Sequence, residues 1–332
     1  TTGGTNVAVG YQAGRVVTTA TNNTLVGPYA GYDLTTGTGN TLIGSEADGN
    51  NETGDYNTII GYQAATGAHG SSHDSTVAIG YRAAFSVTTG NGNVAIGQSA
   101  LQTITTGTRN VAVGTTAGYA GGVSGYNVYM GYEAGKRHIG GNVVHIGSEA
   151  GQNASGSSNT FVGYQAGKGG TTSAPYSSGE KNTAVGYQAL DGFTTGYENV
   201  AVGGGAGGAL TTGYTSTFVG YTAGASVSTA GNNTYIGYAA GLAITGAGNV
   251  GVGNHVMKAG SGAAANNTAV GGGSLYAITS GTTNVAIGSE AGETLTTTSN
   301  TVLIGYQAGA AINSTGANGT VAIGYQAGTT PT

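Results

Sequence analysis

Two histidines four residues apart are the first candidates for metal chemistry in this sequence. His69 and His73 lie in the polar stretch 67–74, and Asp74 follows directly. Imidazole and carboxylate groups are common zinc ligands, but no helical pattern fixes the geometry of this stretch. The pattern therefore favours an exposed polar loop, with His69 and His73 as candidate binding residues, no metal site and no cofactor.

Two further histidines occur in more regular surroundings. His138 lies in a predicted turn and His145 in a predicted strand. If three chains shared an axis, copies of His145 would form a ring on that axis. This is the weaker interpretation, because a single histidine in a strand is more often a structural residue.

Isolated glutamates are the next candidates. Glu46, Glu133, Glu149 and Glu290 occupy one equivalent position of a repeat, and only Glu133 and Glu149 fall in neighbouring copies. Glycoside hydrolysis needs two carboxylates that flank a groove. A solvated edge is the expectation here, and the sequence predicts no catalytic residue.

Tyrosine offers a stronger indication of binding. Of the 21 tyrosines, ten follow an equivalent glycine and should form a row on the surface of a repeat protein. The row can bury ring area between protomers, which we favour, or can stack on sugars. Its members are Tyr11, Tyr62, Tyr81, Tyr132, Tyr164, Tyr187, Tyr221, Tyr238, Tyr306 and Tyr325.

The element that positions these residues is a pentad of the form Asn-[Val/Thr]-x-[Val/Ile]-Gly. It occurs 19 times, and 11 of the 18 intervals between successive glycines are 17 residues long. Such a short period is typical of a solenoid, in which each coil buries its apolar side against its neighbours. We call the final glycine of each pentad the anchor; the anchors are Gly10, Gly27, Gly44, Gly61, Gly80, Gly97, Gly114, Gly131, Gly147, Gly163, Gly186, Gly203, Gly220, Gly237, Gly253, Gly271, Gly288, Gly305 and Gly324.

Each coil contains a strand directly before its anchor. The residue before the anchor is Val or Ile in 18 copies and Met130 in the other, and the residue two positions earlier is always Val or Thr. Residues two apart share a strand face, so we expect these restricted positions to face the core. The residue between them varies freely, as in Tyr129, Phe161, Phe218 and Tyr235. We expect it to face outwards, where it or the tyrosine row would contact other protomers.

The rest of the coil also follows a pattern. The anchor glycine should form a bend that a Cβ would obstruct, and the alanine three residues later should pack inside the corner. A large apolar residue seven after the anchor, such as Ile104 or Leu210, predicts a second short strand. Asparagine four residues before the anchor, in 14 copies, should form a ladder of side-chain amides between coils.

Two of the lengthened intervals predict surface loops, at 66–75 and 168–181. Insertions in solenoids become loops, and binding residues are often held on loops by a rigid scaffold. The second loop supplies the candidate binding residues Lys168, Pro175, Tyr176 and Lys181.

Composition excludes several other classes of protein. Glycine fills 68 of 332 positions and charged residues only 6%, but the regular aliphatic pattern argues against disorder. The absence of cysteine excludes disulfides and thiolate metal sites. The net charge of −5 is spread thinly, so neither nucleic acid nor a membrane surface is an expected partner. The sequence contains no run of about 18 apolar residues and therefore predicts no membrane span.

A single solenoid of this kind would have a core only one side chain thick. Surface-to-volume scaling makes such a protein marginally stable, so we expect self-association along its length. The chain starts at Thr1 without methionine and its pattern continues from Asn6 to Gly328, so we expect a processed product or part of a longer protein.

The segments 182–190, with Gly186-Tyr187-Gln188-Ala189, and 93–97 resemble the shaft repeats of bacteriophage tail fibres. They are also similar to the YadA-like head repeats of trimeric autotransporter adhesins, although those are commonly shorter than 17 residues. The resemblance covers essentially the whole chain. It implies a left-handed parallel β-roll wound as a homotrimer, displayed on a virion or on a bacterial surface and used for attachment to host glycans or receptors.

The sequence therefore predicts an all-β, parallel β-solenoid (β-roll) of about 19 coils in one repetitive segment, 1–332. The expected function is a non-enzymatic, trimeric tail-fibre shaft or receptor-binding segment, in contact with other virion or surface-fibre proteins. Alternatives are an adhesin head on a bacterial surface and, less favoured, an ice-binding solenoid. Ice binding needs a regular Thr-x-Thr face, whereas the threonine pairs here are adjacent in sequence. A solenoid lyase would need clustered acid and base groups.

Overall fold

The computed structural model describes residues 4–122, 124–313 and 315–329 and confirms the predicted fold class. The protein is an all-β parallel β-solenoid with one three-residue strand in each coil and a period near 17 residues. It comprises two compact units, Thr1–Asn159 with β1 to β9 and Thr160–Thr332 with β10 to β19. The strands are β1 Val7–Val9, β2 Thr24–Val26, β3 Thr41–Ile43, β4 Thr58–Ile60, β5 Val77–Ile79, β6 Val94–Ile96, β7 Val111–Val113, β8 Val128–Met130, β9 Val144–Ile146, β10 Thr160–Val162, β11 Thr183–Val185, β12 Val200–Val202, β13 Thr217–Val219, β14 Thr234–Ile236, β15 Val250–Val252, β16 Thr268–Val270, β17 Val285–Ile287, β18 Val302–Ile304 and β19 Val321–Ile323, with a 3-10 turn at Thr315–Ala317.

Within each unit the strands pair in parallel and in sequence order, with equivalent residues opposite one another. In the first unit Val77, Ala78 and Ile79 pair with Val94, Ala95 and Ile96. In the second unit the same register joins Thr217–Val219 to Thr234–Ile236. One residue type therefore continues from coil to coil as a row along the sheet.

The strands face the opposite way from the prediction. The middle residue of nearly every strand is fully buried, including Tyr129, Phe161, Phe218 and Tyr235, at 0% exposure. The restricted residues beside it, such as Val94 and Ile96, are only half-buried and lie on the outer face. The predicted inward assignment was wrong, and so was the expectation that the middle residues contact other protomers.

The anchor glycine confirms the predicted close approach of backbone. At Gly114, φ is +134°, and an added Cβ would lie 2.5 Å from the carbonyl oxygen of Gly131 in the next coil. This distance is far below van der Waals contact, so the repeat requires glycine there. The alanine three residues later, such as Ala117, is fully buried inside the corner, as predicted.

The second predicted strand does not form in the described residues. Ile104 and Leu210 are buried as expected, but their segments are turns. The N–H of Ile104 donates to the carbonyl of Leu101 in its own coil at 3.1 Å, which closes a turn instead of extending a strand ladder. Val17 and Ile312 at the equivalent position are only half-buried.

The predicted asparagine ladder is present. Asn110 donates from Nδ2 to Asn93 Oδ1 at 3.0 Å and to the carbonyl of Ser124 at 3.0 Å. Its own Oδ1 accepts the N–H of Asn127 at 3.1 Å. The side chain thus satisfies buried groups in the coil before it and in the coil after it, which makes it a structural residue.

Replacing Asn110 with alanine is expected to destabilise the first unit by about 3 kcal/mol, because the buried N–H of Asn127 and the partly buried carbonyl of Ser124 would each lose a partner. Asn254→Ala is the matched control, since Asn254 is exposed, and it should stay within about 0.5 kcal/mol of the parent. Chemical denaturation followed by circular dichroism measures both. Equal losses in the two variants would contradict the structural role of the ladder.

Candidate functional site

The structure separates the two histidines of the first insertion. His69 is on the surface, with its side chain 79% exposed and Nδ1 2.6 Å from Asp33 Oδ2. His73 is fully buried, with Nε2 2.9 Å from Asp48 Oδ1. The two imidazoles do not converge, and the described residues contain no group of three or more metal-ligating side chains. The prediction of an exposed loop holds for His69 and is wrong for His73, because that ring fills the interior of its coil.

Asp48, Asn51 and His73 form a closed polar cluster inside the first unit. Asn51 Nδ2 donates to Asp48 Oδ2 at 3.1 Å, and Asn51 Oδ1 accepts the N–H of Gly54 at 3.0 Å. All three side chains are buried, at 0% exposure. Asp48 and Asn51 occupy positions that Leu101 and Ile104 fill in another coil, and a dissolved ligand has no access to the buried cluster.

A second buried polar cluster contains His138, His145 and Tyr129. The imidazole centroids lie 5.3 Å apart, and each is within 5.9 Å of the Tyr129 ring. Burial lowers the pKa of His138 to about 4, against hydrogen bonds that raise it, and lowers the pKa of His145 as well. Both imidazoles are therefore neutral at pH 7. Because His145 lies inside its own chain, the ring of histidines on a three-fold axis is excluded.

The glutamates line a polar row on the surface. Glu46 Oε2 accepts from Gln63 Nε2 at 2.8 Å, and Gln63 Oε1 accepts from Arg82 Nε at 2.8 Å. In the second unit Glu290 accepts from Gln307 in the same way, at 2.7 Å. These contacts match the expected surface edge.

Glu133 forms an ion pair with Lys136 at 2.6 Å. Partial burial alone would raise the pKa of Glu133, but hydrogen bonds from Lys136 and Tyr132 outweigh it and lower that pKa. The carboxylate is therefore ionised at neutral pH and held by its neighbours.

The predicted tyrosine row is exposed, and its rings stack between adjacent coils. Tyr62 and Tyr81 lie 5.9 Å apart with an angle of 15° between planes. Tyr221 and Tyr238 in the second unit lie 5.8 Å apart at 12°. The ten side chains are between 44% and 73% exposed, so each unit presents an aromatic row to its surroundings.

The second insertion is tied down at both ends. Gly170 N donates to the carbonyl of Phe193 at 2.8 Å and Gly179 N to that of Thr194 at 3.1 Å. Of the candidate residues, Pro175 is exposed, while Lys168 and Tyr176 are half-buried. Lys181 forms an exposed ion pair with Glu198 at 3.2 Å.

Lys181 contributes to a cleft of about 200 Å³, which Tyr197 and Glu198 also line. The structure does not bring Lys168, Pro175 and Tyr176 together with it in that cleft.

The first insertion builds a different kind of cleft, of about 260 Å³. Its wall combines two aromatic rings with a carboxylate, an amide, a hydroxyl and an imidazole. The lining residues are Tyr29, Tyr32, Glu46, Gly49, Asn50, Thr66 and His69. We call this site the Tyr29 cleft.

Sequence reasoning identified His69 but missed Tyr29, Tyr32, Asn50 and Thr66. A signal was present, because Pro28 follows its anchor where ten other coils have tyrosine, which moves the aromatic residue to Tyr29. The lengthened coil then places His69 against Asp33, which lies 36 residues earlier.

The chain matches no family model, and no curated protein matches it in sequence. No helix in the described part of the chain has the length and apolarity needed to cross a bilayer.

Proposed function

We propose that this chain is a shaft segment of a homotrimeric, non-enzymatic fibre with a structural and adhesive role. The observation that carries the proposal is the outer strand face. On it Ile43 and Met130 in the first unit are 37% and 42% exposed, and Ile236 and Ile287 in the second are 38% and 41% exposed. Extended rows of exposed aliphatic side chains are characteristic of protein interfaces.

The partner that fits this face best is another copy of the chain. Parallel strands repeat about every 4.8 Å, and the outer residues repeat with them in register. Only a surface with the same repeat can match every coil at once, and an identical chain supplies one. The tyrosine row follows directly after the anchor and would extend the same contact.

The sequence resemblance is what supports a particular type of fibre. The pentad and the Gly-Tyr-Gln-Ala element support a phage tail-fibre shaft on a virion, in contact with other virion proteins. A trimeric adhesin on a bacterial surface is the alternative. Attachment to a host glycan or receptor is the adhesive part of the proposal, and the two insertions are the surfaces that interrupt the repeat.

The mass of the native protein in solution tests the proposal. Light scattering is expected to give three times the chain mass of 32.0 kDa. Ile96→Asp, which adds a charge to the outer face of β6, should lower that mass without changing the circular dichroism spectrum, because a buried unpaired charge is costly only in the assembled state.

Glu198→Gln is the control, since Glu198 is exposed and lies outside the strands; its mass should equal that of the parent. A parent protein with the mass of one chain at micromolar concentration would contradict the trimer.

A further inference from the structure

The Tyr29 cleft is a place where the surface of the first unit departs from its repeat. Five of its seven lining residues come from two successive coils, whereas Thr66 and His69 belong to the insertion, and His69 bonds back to Asp33 at 2.6 Å. The insertion thereby turns a repeating edge into a cleft of about 260 Å³.

We propose that the Tyr29 cleft binds a neutral pyranose, as the terminal residue of a glycan. This inference rests on the adhesive role proposed above and assigns it a site and a ligand class.

The aromatic wall suits the apolar face of a sugar ring. Tyr29 and Tyr32 lie 5.6 Å apart with an angle of 54° between ring planes, so they form a corner. Tyr11 packs edge-on against Tyr29 at 5.4 Å, and Arg15 lies over Tyr32 at 5.1 Å and donates to its hydroxyl. Both rings are therefore held by neighbours before a ligand arrives, which lowers the entropy lost on binding.

The polar wall suits the hydroxyl groups at the rim of a pyranose. Thr66 Oγ1 donates to the carbonyl of Glu46 at 3.1 Å, and Asn50 Nδ2 donates to that of Gly67 at 3.0 Å. Gln63 holds Glu46 through Oε2 at 2.8 Å. Among the described residues, Glu46 Oε1 and Asn50 Oδ1 have no hydrogen-bond partner, so two acceptors remain for sugar hydroxyls.

Charge and size narrow the ligand class. The only carboxylate that lines the cleft is Glu46, and no lysine or arginine lines it, so an acidic sugar would meet the negative charge of Glu46. Pockets for drug-sized ligands start at about 300 Å³, which makes this cleft suitable for one ring. The larger cleft beside Asp74 and Arg109, about 460 Å³, has no aromatic residue in its wall.

The test is titration of the full native protein with the methyl glycosides of glucose, galactose, mannose and N-acetylglucosamine. Saturation-transfer NMR detects contact and calorimetry measures affinity. At least one neutral glycoside is expected to bind. Tyr29→Ala should weaken binding about ten-fold or more, since stacking and buried ring area are both lost, and Glu46→Ala should also weaken it.

Tyr214→Ala is the matched control. Tyr214 is 40% exposed, close to the 37% of Tyr29, stacks on Tyr197 and does not line the cleft. It should bind as the parent does, and circular dichroism should be unchanged in all variants. Binding lost equally in Tyr29→Ala and Tyr214→Ala would place the site elsewhere.

Three other results would overturn the assignment of the cleft to a neutral pyranose. These are that no glycoside binds, that N-acetylneuraminic acid binds better than any neutral sugar, or that only choline, a quaternary ammonium ligand of aromatic sites, binds. The proposed fibre and the proposed glycan site can be contradicted independently of each other. A protein with the mass of three chains that binds no glycoside keeps the proposed fibre and loses this site. A protein with the mass of one chain that binds a neutral glycoside keeps the site and loses the trimer.

Discussion

Ala95→Asp is expected to destabilise the first unit by on the order of 5 kcal/mol, whereas Ile96→Asp one residue later should leave the chain folded. Ala95 is fully buried at the centre of β6, and Leu101 and Ile104 of the same coil are equally buried. A carboxylate there would be enclosed by apolar groups. Ile96 lies on the outer face, where a new carboxylate keeps its contact with water in a single chain.

Ala95→Asn separates the two causes of the loss. Asparagine has nearly the shape of aspartate but no charge, so it measures overpacking together with the burial of an unpaired amide, each of which costs about 1–3 kcal/mol. Denaturation monitored by circular dichroism, with hydrogen exchange across β5 to β7, measures all three variants. If Ile96→Asp unfolded the chain as readily as Ala95→Asp, the assignment of the two strand faces would be wrong.

The same strand shows how far the sequence predicts the fold. The period, the parallel register, the anchor glycine and the asparagine ladder all follow from residue type and spacing, because each depends on local backbone geometry repeated from coil to coil. Residue type and spacing did not predict which side of the strand faces inwards. Val, Ile and Thr recur at the outer positions because β-branched residues pair well with their equivalents on the next strand.

The inner position varies because its neighbours compensate for its size. Where Tyr129 or His145 fills the interior, the residue four after the anchor is Gly135 or Gly151, at which a Cβ would lie 2.2 Å and 2.4 Å from those rings. Where Ala95 leaves space, that residue is Leu101. Free variation at one position alone looks like exposure, and only its packing partners in the same coil and the next explain it. In the coil of Ala112 the residue four after the anchor is Gly118, where an added Cβ would lie 2.5 Å from the ring of Tyr129 in the next coil.

The candidate site was predictable only in part. The lengthened coil indicated that a surface loop would contain His69, but its partner Asp33 lies two coils earlier. The contact depends on how far the insertion folds back along the surface, and single-residue patterns carry no information about that. His73 shows the same limit, since its burial beside Asp48 depends on which side of the loop turns inwards.

Acidification is the second change with a large expected effect. His138 has a folded-state pKa of about 4, below its ordinary value of 6.5, because it is buried, and the pKa of His145 is also lowered. The unfolded chain therefore binds more protons than the folded chain between these values. The stability that depends on neutral imidazoles is complete above about pH 6.5 and is lost as the pH falls towards 4, by about 3 kcal/mol for His138.

The double variant His145→Phe with His138→Leu should remove most of this pH dependence. Phe161 and Phe218 occupy the position of His145 in other coils, and Leu34 and Leu210 that of His138, so the replacements fit the coil. Thermal melting at pH 7, 5 and 4 measures the effect. Asn254→Ala, at an exposed side chain that does not titrate, is the control and should melt with the same pH dependence as the parent.

Carboxylates titrate in the same range and contribute to acid denaturation in every variant, so the decisive quantity is the difference between the slopes of parent and double variant. A double variant that melts with the parent's slope would show that carboxylates such as Glu133, and not the buried histidines, govern acid stability. A double variant that is more stable than the parent even at pH 7 would agree with the structure. Two imidazoles would then have been replaced by apolar groups in an interior where burial already disfavours their charge.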